Sequence, residues 1–110
     1  MLIYKVLRAD EWAALQSAGT TPGAPVDIAD GYVHFSTADQ LRGTLDKHFA
    51  GASGLQLLVC DADSLTPDLR WEPSRGGALF PHLYRDLRLT DVIWTRPIPL
   101  TPSGHDVGDL

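Results

Sequence analysis

Apolar and polar positions divide the chain into short, separable elements. Leu2 to Leu7 is an apolar run bounded by Arg8-Ala9-Asp10 and predicts a first strand. A helix is expected next: Asp10 offers an N-cap, Trp12 and Leu15 fall three apart on one face, and Gly19 supplies the stop. Thr20 to Ala29, with Pro22, Gly23 and Pro25, shows no period and reads as a loop. Tyr32 to Ser36 alternates as a half-buried strand does, and Thr37-Ala38-Asp39-Gln40 then matches the Thr-x-x-Gln capping box that opens a helix. Leu41, Leu45 and Phe49 recur every four residues as its buried stripe, Lys47 and His48 suit its negative C-terminal end, and Gly51 closes it. Leu55 to Cys60 is a continuous apolar run of strand length, the mark of a central strand covered on both faces.

Beyond Asp61 to Pro67, which is polar, strand-like pieces alternate with turn chemistry at Leu69 to Glu72, His82 to Tyr84 and Asp91 to Arg96. Pro97, Pro99 and Pro102 end regular pairing. Two helices in the N-terminal half followed by a β-rich half predict an α+β fold rather than a doubly wound sheet. The expected organisation is one globular domain over residues 1–100 and a polar, frayed tail over residues 101–110.

Length and composition agree with a single core. A chain of 110 residues, 44% hydrophobic and 21% charged, can bury roughly 60 to 70% of its unfolded surface without metal or disulfide staples. No apolar run approaches the roughly 18 to 20 residues that span a bilayer, and Met1 to Lys5 lacks the basic start and long apolar core of a signal peptide. The expected location is therefore the cytoplasm, with no membrane partner. Cys60 is the one cysteine, and its place in Leu57-Leu58-Val59-Cys60 predicts a buried, inert thiol.

Nine basic residues against fourteen acidic ones give a formal charge of −5, which argues against general nucleic-acid affinity. That average conceals an asymmetry. Residues 66–100 carry Asp68, Glu72, Asp86 and Asp91 against Arg70, Arg75, Arg85, Arg88 and Arg96, and every base there is arginine. A guanidinium fork matches phosphate or carboxylate, so a small phosphate-bearing ligand fits this pattern better than a polymer, with solvated surface arginines as the competing explanation.

Two segments carry candidate chemistry. In Asp30-Gly31-Tyr32-Val33-His34-Phe35-Ser36-Thr37, period two puts His34 and Ser36 on one side of a strand and Val33 and Phe35 on the other. Ser36 and Thr37 also stand where a helix begins, with free N–H groups and a dipole that favour an anion, although Thr37 also serves simply as the cap. A hydrogen-bonded structural histidine is the competing explanation for His34. In Trp71-Glu72-Pro73-Ser74-Arg75-Gly76-Gly77-Ala78-Leu79-Phe80-Pro81-His82-Leu83-Tyr84, the Gly76-Gly77 backbone can approach a ligand closely, and Arg75 beside it offers an anion-binding fork. A plain glycine turn explains the same pair, because neither a P-loop nor a dinucleotide-binding turn is spelled out. His82 and Tyr84 share a strand face, pairing an acid–base group with a ring able to stack on a planar ligand. Glu72, held between Trp71 and Pro73, is expected to have a raised pKa and to act as a base, or else to pair with an arginine. The histidines lack metal-ligand spacing and no cysteine cluster exists, so no metal site is expected; no Gly-x-Ser-x-Gly elbow appears either.

These two segments, with Ile3-Tyr4-Lys5-Val6-Leu7, Glu11-Trp12 and Leu45 through Phe49, closely resemble the bacterial domain-of-unknown-function family 952 from about Leu2 to Pro97. The resemblance names no reaction. It implies a compact relative of the ADP-ribosyltransferases and RNA 2'-phosphotransferases, with two small, mostly antiparallel sheets forming a cleft for NAD or a related nucleotide. On that basis His34 and Ser36 correspond to residues that orient the ribose, and Tyr84 to the stacking aromatic. The late-strand glutamate frequent in such transferases has no counterpart, because only Asp86, Asp91, Asp106 and Asp109 follow Glu72 as acids. The expected activity is that of a small nucleotide-binding transferase of ADP-ribosyl or phosphoryl groups. His34, Glu72 and His82 are its candidate catalytic residues, and Ser36, Thr37, Arg75, Gly76, Gly77 and Tyr84 its ligand-binding ones. The alternative is a non-catalytic module that senses a nucleotide or small anionic metabolite.

Overall fold

A computed structural model describes residues 1–110. Its elements run β1 (Leu2–Leu7), α1 (Ala9–Ala18), β2 (Thr20–Thr21), α2 (Pro25–Asp30), β3 (Val33–His34), α3 (Ala38–His48), β4 (Leu55–Asp61), α4 (Ala62–Leu65), β5 (Leu69–Pro73), β6 (Leu79–Leu83), β7 (Leu87–Arg88), β8 (Val92–Ile98), β9 (Leu100–Thr101) and β10 (Gly104–His105). The architecture is α+β. Two three-stranded antiparallel sheets, ordered β1-β4-β8 and β3-β6-β5, are accompanied by the two-stranded ribbons β2-β7 and β9-β10. No helix is long and apolar enough to cross a membrane.

The Leu55 to Cys60 run lies at the centre of the first sheet, as its unbroken apolar character predicts, and both faces are covered. On one face Leu58 and Cys60 join Ile3, Leu7 and Leu15, together with Val33, Phe35 and Leu83 from the β3–β6 region. On the other, Leu57 and Val59 meet Tyr4, Val6, Leu41 and Leu45. Alternation along β4 therefore feeds two separate clusters. Within the first of them, burial pushes the Cys60 thiol up to about 12, consistent with an inert packing role.

The α3 helix starts at the capping box read from the sequence. Thr37 Oγ1 accepts from the Gln40 N–H at 3.3 Å, and Gln40 Oε1 accepts from the Thr37 N–H at 3.0 Å. Replacing Thr37 by alanine is expected to cost about 1 kcal/mol, read as a shift of the urea midpoint at constant slope. Leu41 and Leu45 are buried; Phe49 is the C-cap, so the helix closes two residues before Gly51.

Several elements depart from the sequence reading. The strand read at His82 to Tyr84 is β6, which begins at Leu79 and stops before Tyr84, and Pro97, read as an end to pairing, lies within the edge strand β8 opposite Gln56. The N-cap of α1 is Arg8 rather than Asp10, and its N–H donates to Glu11 Oε1 at 2.8 Å. The stretch read as a loop, Thr20 to Ala29, contains β2 and most of α2. With α2 and α4, the helices number four rather than two. The last ten residues are not a frayed tail: β10 pairs with β9, His105 is buried, its Nε2 lies 2.7 Å from the Ala52 carbonyl oxygen, and its own carbonyl accepts from Arg42 at 2.7 Å. Local sequence carries no trace of such distant partners.

The two main sheets are joined where the site lies. Tyr4 and Ser36 exchange backbone hydrogen bonds at 2.8 Å each way, and the Phe35 N–H donates to the Pro81 carbonyl at 2.9 Å. The strand leading from His34 to α3 is thereby stitched to β1 on one side and to β6 on the other.

Candidate functional site

The pairings His34↔His82 and Arg70↔His82, with Glu72↔Phe80 one step along, put His34, His82, Phe80, Arg70 and Glu72 on one face of the β3-β6-β5 sheet. Val33, Leu69 and Leu83 occupy the opposite face, in the core. Period two thus separates chemistry from packing. The polar face opens on a cleft of about 510 Å³ that also receives Lys5 and Arg8 from the β1 region, Asp27 and Asp30 from α2, and Thr44, Lys47 and His48 from α3.

Asp27 anchors one wall. Its carboxylate is buried and accepts from Lys5 Nζ at 2.8 Å, the Ala24 N–H at 2.7 Å and the His34 N–H at 3.0 Å, while His34 Nδ1 lies 2.5 Å away. Gly23 makes this approach possible, since a Cβ there would stand 2.2 Å from Asp27 Oδ2. Burial opposes ionisation of Asp27, but the His34 and Lys5 contacts outweigh it and hold the carboxyl at about 2, below its ordinary 3.8. A depressed folded-state pKa contributes stability above the unfolded value that is lost as pH falls through the folded one. Of the order of 2 kcal/mol is therefore expected to disappear between pH 3.8 and about 2. Denaturant titrations over that interval should show a shallower loss in Asp27→Asn than in the native sequence.

The two cleft histidines differ in what stands opposite them. His34 Nδ1 bonds Asp27, and its Nε2 lies 3.1 Å from Asp30 Oδ2, a contact that becomes a charge-assisted pair only when the ring is protonated. His82 is buried, with Nδ1 2.9 Å from Glu72 Oε1 and Nε2 meeting no partner. Such an orphaned polar atom typically costs about 1–3 kcal/mol. Tyr32 lies flat against the His82 ring, centroids 4.1 Å apart and planes 5° from parallel.

Arg75 holds the other end. Its guanidinium lies 3.5 Å from Thr44 Oγ1 and 3.4 Å from the Gln40 carbonyl oxygen, and sits over the Phe80 ring at 4.9 Å. Thr44 Oγ1 is in turn 2.7 Å from Ser36 Oγ. Glycine at position 43 lets the guanidinium lie against α3, since a Cβ there would stand 3.1 Å from its terminal nitrogen. No carboxylate lies within 4.0 Å of Arg75, Arg8 or Lys47. Four cationic side chains, Lys5, Arg8, Lys47 and Arg75, face three acids, Glu11, Asp27 and Asp30, so the cleft is net positive by one in a chain of net charge −5. Near these cations His48 is more easily deprotonated than usual, through burial first and then Lys47 and Arg75.

Of the residues singled out from sequence, His34, Ser36, Arg75 and His82 line this cleft. The others do not. Thr37 is the helix cap. Gly76 and Gly77 take left-handed φ of 68° and 79° in the turn between β5 and β6, where the Gly77 N–H closes on the Ser74 carbonyl at 2.8 Å. Tyr84 is 39% exposed and donates from its hydroxyl to Glu72 Oε1 at 2.6 Å; the ring found stacked on an imidazole belongs to Tyr32. Glu72 shares the sheet face of His82 but does not line the cleft, and its pKa is lowered rather than raised, because the Tyr84 hydroxyl and the His82 imidazole stabilise the carboxylate. Asp27, Lys5 and Thr44 were missed. The available signal was Lys5 itself, a lone charge inside an otherwise apolar strand, which requires a buried partner.

The fold and site together define a small α+β protein with a cationic, imidazole-lined cleft between two antiparallel sheets. Residues 6–95 match the family model described as "Protein of unknown function (DUF952)", and the chain belongs to that family. It is similar to protein CC0527 from Caulobacter crescentus. The crystal structure of that protein aligns at 44% identity with a TM-score of 0.91, covering 96% of this chain and 92% of that one. Its solution NMR structure aligns at 44% identity with a TM-score of 0.84, covering 94% and 90%. No curated protein matches the chain.

Proposed function

We propose that the cleft binds a phosphate-bearing nucleotide of the NAD or ADP-ribose kind and that the protein is a small transferase acting on it. One observation carries this reading: Arg75, unpaired by any carboxylate, shares a pocket with the Ser36 and Thr44 hydroxyls and with a buried imidazole, His82, whose Nε2 is free. An arginine fork with flanking hydroxyls suits a phosphate, and a volume of about 510 Å³ suits a ligand of nucleotide size. The two antiparallel sheets flanking the cleft support kinship with the ADP-ribosyltransferase-like fold. His34, held by Asp27, and Ser36 form the wall beside the ribose, Arg75 takes phosphate, and His82 moves the proton. Phosphoryl transfer fits these side chains better than ADP-ribosyl transfer, because the cleft offers cations and imidazole but no free carboxylate.

The same engaged carboxylates favour a second reading. Asp27 and Asp30 hold His34, and Glu11 bonds the Arg8 N–H, which leaves no acid for catalysis and suits a module that senses the nucleotide without altering it. Isothermal titration with NAD and ADP-ribose tests the shared claim. Heat with either at millimolar concentration supports it, and no heat with both removes it. Mass spectrometry of the ligand after hours with the protein separates the readings: with water as the acceptor a transferase hydrolyses it slowly, and a sensor returns it intact.

A further inference from the structure

His82 is the one cleft side chain shown to keep a polar atom buried and unpartnered, and its surroundings determine what that atom can do. Glu72 Oε1 receives the Tyr84 hydroxyl at 2.6 Å and faces His82 Nδ1 at 2.9 Å. Those contacts favour the ionised form of Glu72, and a carboxylate only accepts hydrogen bonds. The proton of a neutral His82 ring therefore sits on Nδ1, and Nε2 presents a lone pair. Ring rotation is opposed by the Tyr32 stack on one face and by the Glu72 bond at the edge. His34 does not offer an equivalent acceptor, since the Asp30 carboxylate stands 3.1 Å from its Nε2, where a ligand hydroxyl would have to lie.

Nε2 has almost no accessible surface, so a donor reaches it only as the side chains around His82 part locally; the acceptor it then meets has no bound water to displace. Phosphate dianions offer no such donor, but hydroxyls do. Phe80, under the Arg75 guanidinium, and His82 are two residues apart on the same face of β6, roughly 7 Å along the strand, about the reach of one phosphorylated sugar.

We propose that His82 Nε2 is the specificity-determining acceptor of the cleft, receiving a sugar hydroxyl of a ligand whose phosphate lies on Arg75, with Glu72 and Tyr84 as positioning residues that fix the tautomer. The ligand class is then a phosphorylated sugar, free or within a nucleotide, and not a simple phosphate. This assignment rests on the anion-binding reading of the cleft and adds to it the group that must accompany the anion.

Two measurements test it. Long-range 1H–15N correlation on the labelled native protein reads the tautomer without any ligand; Nδ1–H at His82 is expected, with partial loss in Glu72→Gln, and Nε2–H in the native protein would overturn the proposal. Titration with ribose 5-phosphate and with propyl phosphate reads the specificity. Ribose 5-phosphate should bind roughly 10- to 100-fold more tightly, and His82→Phe should bring the ratio close to one. Equal affinities in the native protein would overturn the role of His82 while leaving the anion site standing. Binding of neither probe, with ADP-ribose also silent, would overturn both. If His82→Phe fails to fold, the native ratio and the tautomer decide.

Discussion

Asp27→Ala is expected to lower the unfolding free energy by about 3–5 kcal/mol, more than any other single polar substitution at the cleft. The reason is what remains. Lys5 keeps its charge at 6% exposure, between two strands and with no other carboxylate within 4.0 Å. The Ala24 and His34 N–H groups lose their acceptor in the same step. Asp27→Asn, which can still accept from backbone, should be milder but of the same sign, because the ammonium is no longer neutralised. Urea unfolding checks both: the midpoint should fall at constant slope, in proportion to the loss. Stability unchanged within 1 kcal/mol in Asp27→Ala would show that Lys5 escapes to solvent, and the wall built on this pair would have no structural anchor.

Arg75→Ala carries the opposite signature. Its guanidinium meets only long contacts, to Thr44 and the Gln40 carbonyl, together with the Phe80 face. Its removal should therefore cost the fold no more than about 1 kcal/mol. Loss of a charge-assisted bond to phosphate, by contrast, is worth about 1.5–3 kcal/mol, or roughly 10- to 150-fold in affinity for ADP-ribose. Arg75→Lys should recover only part of this, since an ammonium lacks the planar fork. Calorimetric titration and denaturant unfolding on the same samples separate the two effects. A large stability loss with unchanged affinity would make Arg75 a brace for the β5–β6 turn.

The contrast between these two residues also explains what could be read from sequence. Arg75 announces itself because a cation beside Gly-Gly sits in a turn, where side chains are free to face a ligand. His34 and Ser36 were legible through period two, and α3 through its capping box, because both signals are local. Asp27 was hidden by an inverted pattern. In α2 the acid points inward while Val26 and Ile28 are 51% and 59% exposed, so the hydrophobic rule assigns the wrong face and the segment reads as a loop. Glu72 shows a related limit. Flanking Trp71 and Pro73 suggest an apolar setting, yet its environment is decided across the sheet by His82 and Tyr84, which adjacency in sequence does not reveal. The terminal hairpin is held by Arg42 and Ala52, both distant in the chain, and the residues after it by Arg96, while the composition of the segment is that of a free tail.

Proton–nitrogen correlation spectra of the labelled protein titrated with ADP-ribose bear most directly on the claim that this cleft is a nucleotide site. Saturable shifts should gather at Lys5, His34 to Ser36, Thr44, and Ser74 to Arg75, and should disappear in Arg75→Ala. Spectra that stay unchanged to millimolar ligand, or shifts confined to surfaces away from these residues, would contradict it.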